Sequence, residues 1–241
     1  MRKLLSLILA VAMIAGLSVS SFAAGNGYST GSDATTTPPY TPTVTTEKTP
    51  VEVTKEVVTK NVEAAIAEAI TAKKASTEVV IKDAVTITPE AFKTIVEKTA
   101  EAKVTAVVHA DTMVGKSVAS RWYIDPVKAA ALPKAINLSV STTNEESKAT
   151  KKTFEKFFDN KFAVVSLGQK GSYGMDMDLA IKVDLKDIDV KTMSFMSYDN
   201  VTNKFVVIKN PKYFIDKNGY LHFTTPIGGD IIITNGSLKS K

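Results

Sequence analysis

The chain has no cysteine among its 241 residues. Disulfides are therefore excluded, and stability must come from packing alone. A lipid anchor attached to a cysteine after an export signal is excluded as well. Histidine is almost absent, with His109 and His222 the only two. A zinc site wants three or four ligands at close spacing, so neither metal nor cofactor is expected. Charge of one sign is also scarce. The formal net charge is +5 and falls to about +3 without Arg2 and Lys3. That excess is too weak and too scattered for a nucleic-acid face. Acidic wall polymers remain possible neighbours, although the charge does not demand them.

Long apolar runs are missing everywhere except at the start. Met1-Arg2-Lys3 is followed by the apolar Leu4–Leu17 and by small residues through Ala24. This order of positive, apolar and small-residue segments predicts a secretory signal peptide over residues 1–23. A spanning helix would need about 20 apolar residues, so no stable membrane anchor is expected after cleavage. Residues 24–50 are rich in Thr, Ser, Gly and Pro, and poor in large apolar residues. Such a segment cannot offset the entropy of ordering and predicts an extended linker, partly polyproline II. The expected setting is extracellular, with possible association to the cell wall.

The folded region is expected to begin near Val51. Val58, Val62, Ala65, Ile66, Ala69 and Ile70 recur at helical spacing, which predicts a helix over Thr59–Lys73. Thr77–Lys82 reads as a strand. Thr88 and Pro89 signal the start of a second helix, and Val104–His109 reads as the next strand. Residues 51–135 thus form a helix–strand–helix–strand part whose two strands should lie parallel, joined by a crossover helix. Asp111–Ser117 reads as a loop, Val118–Ile124 as a strand holding the only tryptophan, Trp122, and Ile136–Ser141 as another strand. Lys151–Phe158 reads as a short helix with three phenylalanines on one side.

Residues 136–236 are expected to be β-rich, with 237–241 as a tail. Phe162–Leu167 reads as a strand, Gly168–Gly171 as a hairpin turn, and the alternation from Met175 to Val183 as a half-buried strand. Met193–Tyr198, Phe205–Lys209, Tyr220–Thr225 and Ile231–Thr234 complete the set, with turns at Asp199-Asn200 and Asp216-Lys217-Asn218-Gly219. The fold class expected is α+β: a helix–strand–helix–strand part followed by a mostly antiparallel, β-sandwich-like part.

Four blocks carry a family resemblance. Arg121-Trp122-Tyr123-Ile124-Asp125-Pro126, Phe162-Ala163-Val164-Val165-Ser166-Leu167, Ser197-Tyr198-Asp199 and Asp216-Lys217-Asn218-Gly219-Tyr220-Leu221-His222-Phe223 resemble a β-rich module of secreted and cell-surface proteins of clostridia and related Firmicutes. The resemblance implies a surface location beside wall-binding or enzymatic domains, and no assigned activity. Many such modules carry a His-Phe-Ser step before the last strand, where this chain has Pro226-Ile227-Gly228.

Candidate chemistry is thin. Asp176 and Asp178 share one face of a strand, as residues two apart do. Paired carboxylates serve glycosidases, but alternation alone accounts for the pair as a solvated face. His222-Phe223-Thr224 resembles a step at which some extracellular β domains cut their own backbone, with Thr224 as nucleophile and His222 as base. His109 has Asp111 close in sequence, whereas His222 has no acidic residue within five positions. The Gly168–Gly174 stretch lacks phosphate-loop spacing. Trp122 and the tyrosines offer a possible sugar-stacking platform whose shared face the sequence does not reveal. The function expected is a non-enzymatic, surface-associated module acting by contact with cell-wall polymer or other surface proteins. The alternatives are a secreted enzyme acting on glycan or wall polymer, with Asp176, Asp178 and His222, and a self-cleaving β domain.

Overall fold

A computed structural model describes residues 52–53, 55–141, 151–152, 154–158, 162–199, 204–236 and 238. The expected signal peptide, the Thr/Pro-rich linker, the polar loop 142–150, Asn200 and most of the tail lie outside them.

The chain opens with β1 (Glu52–Val53), α1 (Lys55–Thr71), β2 (Ser76–Lys82), β3 (Thr86–Ile87), α2 (Pro89–Glu101) and β4 (Thr105–Val114). Val58, Val62 and Ala69 form the buried stripe of α1, but Ile70 stands 60% exposed, one position too far round the helix. At α2 the start signal acts as its chemistry dictates. Thr88 has extended backbone, its hydroxyl accepts the amide of Ala91 at 3.3 Å, and Pro89 takes the first helical position. Phe92, Ile95 and Thr99 then fall three or four residues apart on the buried side, the spacing that keeps side chains on one face. β2 and β4 pair in parallel, from Ser76 opposite Thr105 to Lys82 opposite Asp111, as expected for two strands joined through a helix.

The Asp111–Ser117 loop expectation is overturned. β4 continues through Val114 and turns at Gly115-Lys116 into β5 (Ser117–Ile124), with Val114 opposite Ser117. Gly115 has φ +60 at the first turn position, which suits a tight two-residue hairpin. The run reads as loop because of its polar residues. In the sheet, Asp111 lies directly opposite Arg121, and the two charges compensate each other.

After α3 (Pro126–Ala130), the expected single strand Ile136–Ser141 is split into β6 (Ile136–Asn137) and β7 (Val140–Ser141). The side chain of Asn137 causes the break: its Oδ1 accepts both the amide and the hydroxyl of Ser139, at 3.0 and 2.6 Å. Local bonds of this kind compete with ladder formation. β6 closes a small sheet with β3 and β1, while β7 joins the large one.

A second correction concerns the glycine-rich stretch. It is not a hairpin turn. β8 runs unbroken from Phe162 to Ile181, and its antiparallel partner β12 runs from Leu221 to Thr234, which merges two strands expected to be separate. Two strands joined by a hairpin would pair with each other. Instead both halves of β8 pair with β12: Phe162–Leu167 with Gly229–Thr234, and Met177–Ile181 with Leu221–Thr225. Between these halves the register shifts twice, around Ile227. Pro226, which has no amide to donate, sits at this irregularity, where proline is tolerated. The glycines permit close approach there. A Cβ on Gly228 would lie 2.2 Å from the carbonyl oxygen of Gln169, and one on Gly168 would lie 1.9 Å from Oγ of Ser139.

With β9 (Ser194–Asp199), β10 (Lys204–Val207) and β11 (Tyr213–Ile215), the large sheet reads β10-β9-β12-β8-β5-β4-β2, with β11 also on β12 and β7 also on β8. The protein is therefore β-rich, with one large mixed sheet and few helices. One core contains Val62, Phe92, Ile95, Val108, Trp122, Leu179, Phe195, Phe223 and Ile231. Trp122 is fully buried, and its indole N–H donates to the carbonyl of Leu138 at 2.8 Å, so the ring hides no unmet donor. A second cluster forms where Phe154 and Phe158 pack on Phe162, Val164, Met196 and Ile232.

Candidate functional site

Alternation along a strand sends every second residue to the face opposite the core. In β4, β5, β8 and β12 the apolar partners Ala110, Trp122, Leu179 and Phe223 point to the core. Their neighbours build the other face. One row across the sheet reads His109, Tyr123, Asp178, Thr224. The next reads Asp111, Arg121, Ala180, His222, Phe214. Both histidines of the chain thus come to one surface, although 113 positions separate them.

Aromatic and imidazole rings run across these rows. His109 meets Tyr123 edge-on with centroids 4.8 Å apart, Tyr123 lies 6.0 Å from His222, and His222 stacks on Phe214 at 4.4 Å with only 11° between planes. Ala180, the small side chain between Arg121 and His222, leaves room for Tyr123 and His222 to approach each other across β8.

Charges are paired within the same surface. Arg121 donates through two nitrogens to the two carboxylate oxygens of Asp111. That bond, with burial opposing it, holds the guanidinium above its ordinary pKa. Asp216 is an anchor of the β11–β12 turn: its Oδ1 accepts the amides of Asn218 and Tyr220, at 2.8 and 2.9 Å. Its Oδ2 stands 3.2 Å from Nε2 of His222. Thr224 donates its hydroxyl to Asp178. The ammonium of Lys182 sits 4.9 Å over the ring of Tyr220. Burial raises the phenol pKa of both Tyr123 and Tyr220, with Arg121 opposing in each case.

His109 is the buried extreme of this face. It is fully inaccessible, and neither ring nitrogen has a hydrogen-bond partner among the described residues. Burial first, and then the positive charge of Arg121, lower its pKa to about 4, against a smaller opposite pull from Asp111. The ring is therefore neutral at physiological pH.

The structure divides the sequence candidates. Asp178, His222 and Thr224 share the face just described. Asp176 is exposed and lines a shallow depression of about 650 Å³ with Lys128, Leu132, Ser172, Met175 and Pro226. The imidazole of His222 faces Asp216, and the hydroxyl of Thr224 faces Asp178. Thr224 also holds a regular ladder position, opposite Asp178 and with its amide donating to the carbonyl of Lys212 at 3.1 Å. Among the described residues, no group of three His, Asp or Glu could hold a metal ion.

Sequence reasoning passed over Arg121, Asp216 and Phe214 as site residues, whereas Tyr123 and Tyr220 stand among the tyrosines it named for a stacking platform. Asp216 lies six positions from His222, one beyond the five that hold no acidic residue. The turn signal at Asp216–Gly219 could have found it, because a hairpin there folds residue 216 back beside the strand that carries 222. No signal in the sequence pairs Asp111 with Arg121 once the Gly115 turn is missed.

The sequence matches no known protein-family model, and no curated protein matches it. The geometry of the outer face is therefore the ground for a functional reading.

Proposed function

We propose that this chain is exported and works outside the cytoplasm as a non-enzymatic surface module, acting by contact with glycan or protein. The observation that carries this reading is the outer face of the large sheet, where the exposed Phe214 and the half-buried Tyr123 are held in place by the buried rings of His222 and His109 among internally paired charges. Rigid strands hold these groups in fixed positions, as a recognition surface requires. His222 is turned to Asp216 and Thr224 to Asp178, an arrangement that fixes side chains rather than setting a base on a nucleophile.

Export rests on the order of charged, apolar and small residues in segment 1–23, and the Thr/Pro-rich stretch 24–50 serves as a spacer. The strand-and-turn blocks around Trp122 and Asp216 support kinship with the β-rich surface modules of clostridia. We read the two halves of the β8–β12 ribbon as the two layers of a sandwich behind a helix–strand N-terminal part. Its support is a shared core: Phe195, on β9 beside one half, lies 5.3 Å from Phe223 in the other.

The test uses the exported full chain, incubated with purified peptidoglycan and with culture-supernatant proteins. The expected result is retention on one of these, lost when Tyr123→Ala and Phe214→Ala are combined in a chain that keeps its circular dichroism. A chain found only in the cytoplasm, or one retained by neither material, would overturn the reading.

A further inference from the structure

The outer face also indicates what kind of ligand it suits. We infer that the β5–β11 portion of this face binds an uncharged glycan chain, with a sugar ring laid against Phe214, Tyr220 at its edge, and hydroxyls bonded by Asp216, Asp178 and Lys212. The inference rests on the contact reading above and narrows it to one ligand class.

Three features carry it. The first is accessible ring surface. Phe214 is 44% exposed although it is stacked on His222. The support of His222 holds the phenyl ring in one orientation, so little side-chain entropy is lost when a ligand covers it. A pyranose presents a flat C–H surface of the right kind for such a ring. Tyr220 flanks it, half-buried, with its hydroxyl bonded to the carbonyl of Val118 and one face of its ring covered by the ammonium of Lys182.

The second feature is the sign pattern of the charges. Arg121, Lys182 and Lys212 stand against Asp111, Asp178 and Asp216. Arg121 is already bonded to Asp111, which leaves two ammonium groups, Lys182 and Lys212, and two carboxylates, Asp178 and Asp216. No single-sign field is built, so a polyphosphate or other anionic wall polymer would gain from some groups and be repelled by others. An uncharged polyol meets no such conflict, because its hydroxyls donate to carboxylates and accept from ammonium groups.

The third feature is the mixture of groups. Phe214 and Lys212 are exposed, while Asp178, Asp216 and Tyr220 beside them are half-buried. A half-buried carboxylate fixed by Thr224, or by the amides of the β11–β12 turn, keeps one orientation and can still accept a further hydroxyl. A protein partner would more naturally demand a contiguous apolar centre, which this face lacks.

The experiment titrates the full chain with hexasaccharides of N-acetylglucosamine, of glucose and of mannose, and with polyphosphate and polyglutamate as anionic probes. Amide chemical shifts and calorimetry are the readouts. At least one hexasaccharide should shift the signals of Phe214, Asp216 and Tyr220. Phe214→Ala should weaken that binding by about tenfold or more, as loss of a central aromatic contact does, and Phe214→Trp should keep it. Circular dichroism and thermal melting confirm that both variants fold. The glycan assignment is overturned if none of the hexasaccharides binds, if Phe214→Ala binds as well as the wild type, or if only the polyanions bind. Retention on a supernatant protein without hexasaccharide binding would sink the glycan inference and leave the broader contact reading standing. Loss of all retention would sink that reading too.

Discussion

Arg121 on β5 closes a two-point bond on the carboxylate of Asp111 on β4, Nε to Oδ1 and a terminal nitrogen to Oδ2, both at 2.7 Å. The side chains are 15% and 2% exposed, so solvent screens the pair little. Bidentate geometry of this kind combines strength with orientation. It also explains how a polar segment can continue a strand. Each charge removes the cost of burying the other, and the hairpin through Gly115 sets them opposite.

Breaking this pair on one side should be expensive. Arg121→Met leaves a buried carboxylate without its partner and is expected to cost about 3 kcal/mol of unfolding free energy. The double variant Asp111→Leu/Arg121→Met removes both charges and should recover at least half of that loss. Urea denaturation at pH 7 measures both values. Equal losses in the single and double variants would contradict the pairing.

His109 predicts an acid sensitivity with a defined sign. Its folded pKa is lowered from 6.5 to about 4 by burial and Arg121. Between those values the unfolded chain holds a proton that the folded chain does not. The neutral ring's contribution is therefore fully present above pH 6.5 and is lost progressively as the pH falls to 4. The full effect is about 3 kcal/mol. His109→Phe should flatten this part of the stability profile. Denaturant midpoints at pH 7, 6, 5 and 4 for both proteins provide the check, and parallel profiles would refute the assignment.

Gly228 predicts a purely steric penalty. Its φ is not in the left-handed region, but a Cβ would meet the backbone oxygen of Gln169 at 2.2 Å, and a backbone atom cannot swing aside as a side chain can. Gly228→Ala should cost about 1–3 kcal/mol by forcing the β8 and β12 backbones apart. A thermal melt with wild-type stability would show that the ribbon can spread at this point.

Some of this was written locally and some was not. The sequence by itself determined the start of α2, because the Thr88 hydroxyl and the Pro89 ring act within one turn of the helix. It determined the course of β2, the alternation of β8 beyond Met175, and the turn at Asp216–Gly219, since each depends on neighbours a few positions away. It could not determine that Gly168–Gly174 lies inside one long strand. That depends on β12, which supplies hydrogen-bond partners to both halves of β8 from 40 or more residues downstream. Nor could it bring His109, Tyr123, His222 and Phe214 to one surface. Their rows are set by strand register across β4, β5, β8, β12 and β11, and register is fixed by burial of the opposite face. A shift of one residue in β4, β5, β12 or β11 would have turned the ring it carries into the core.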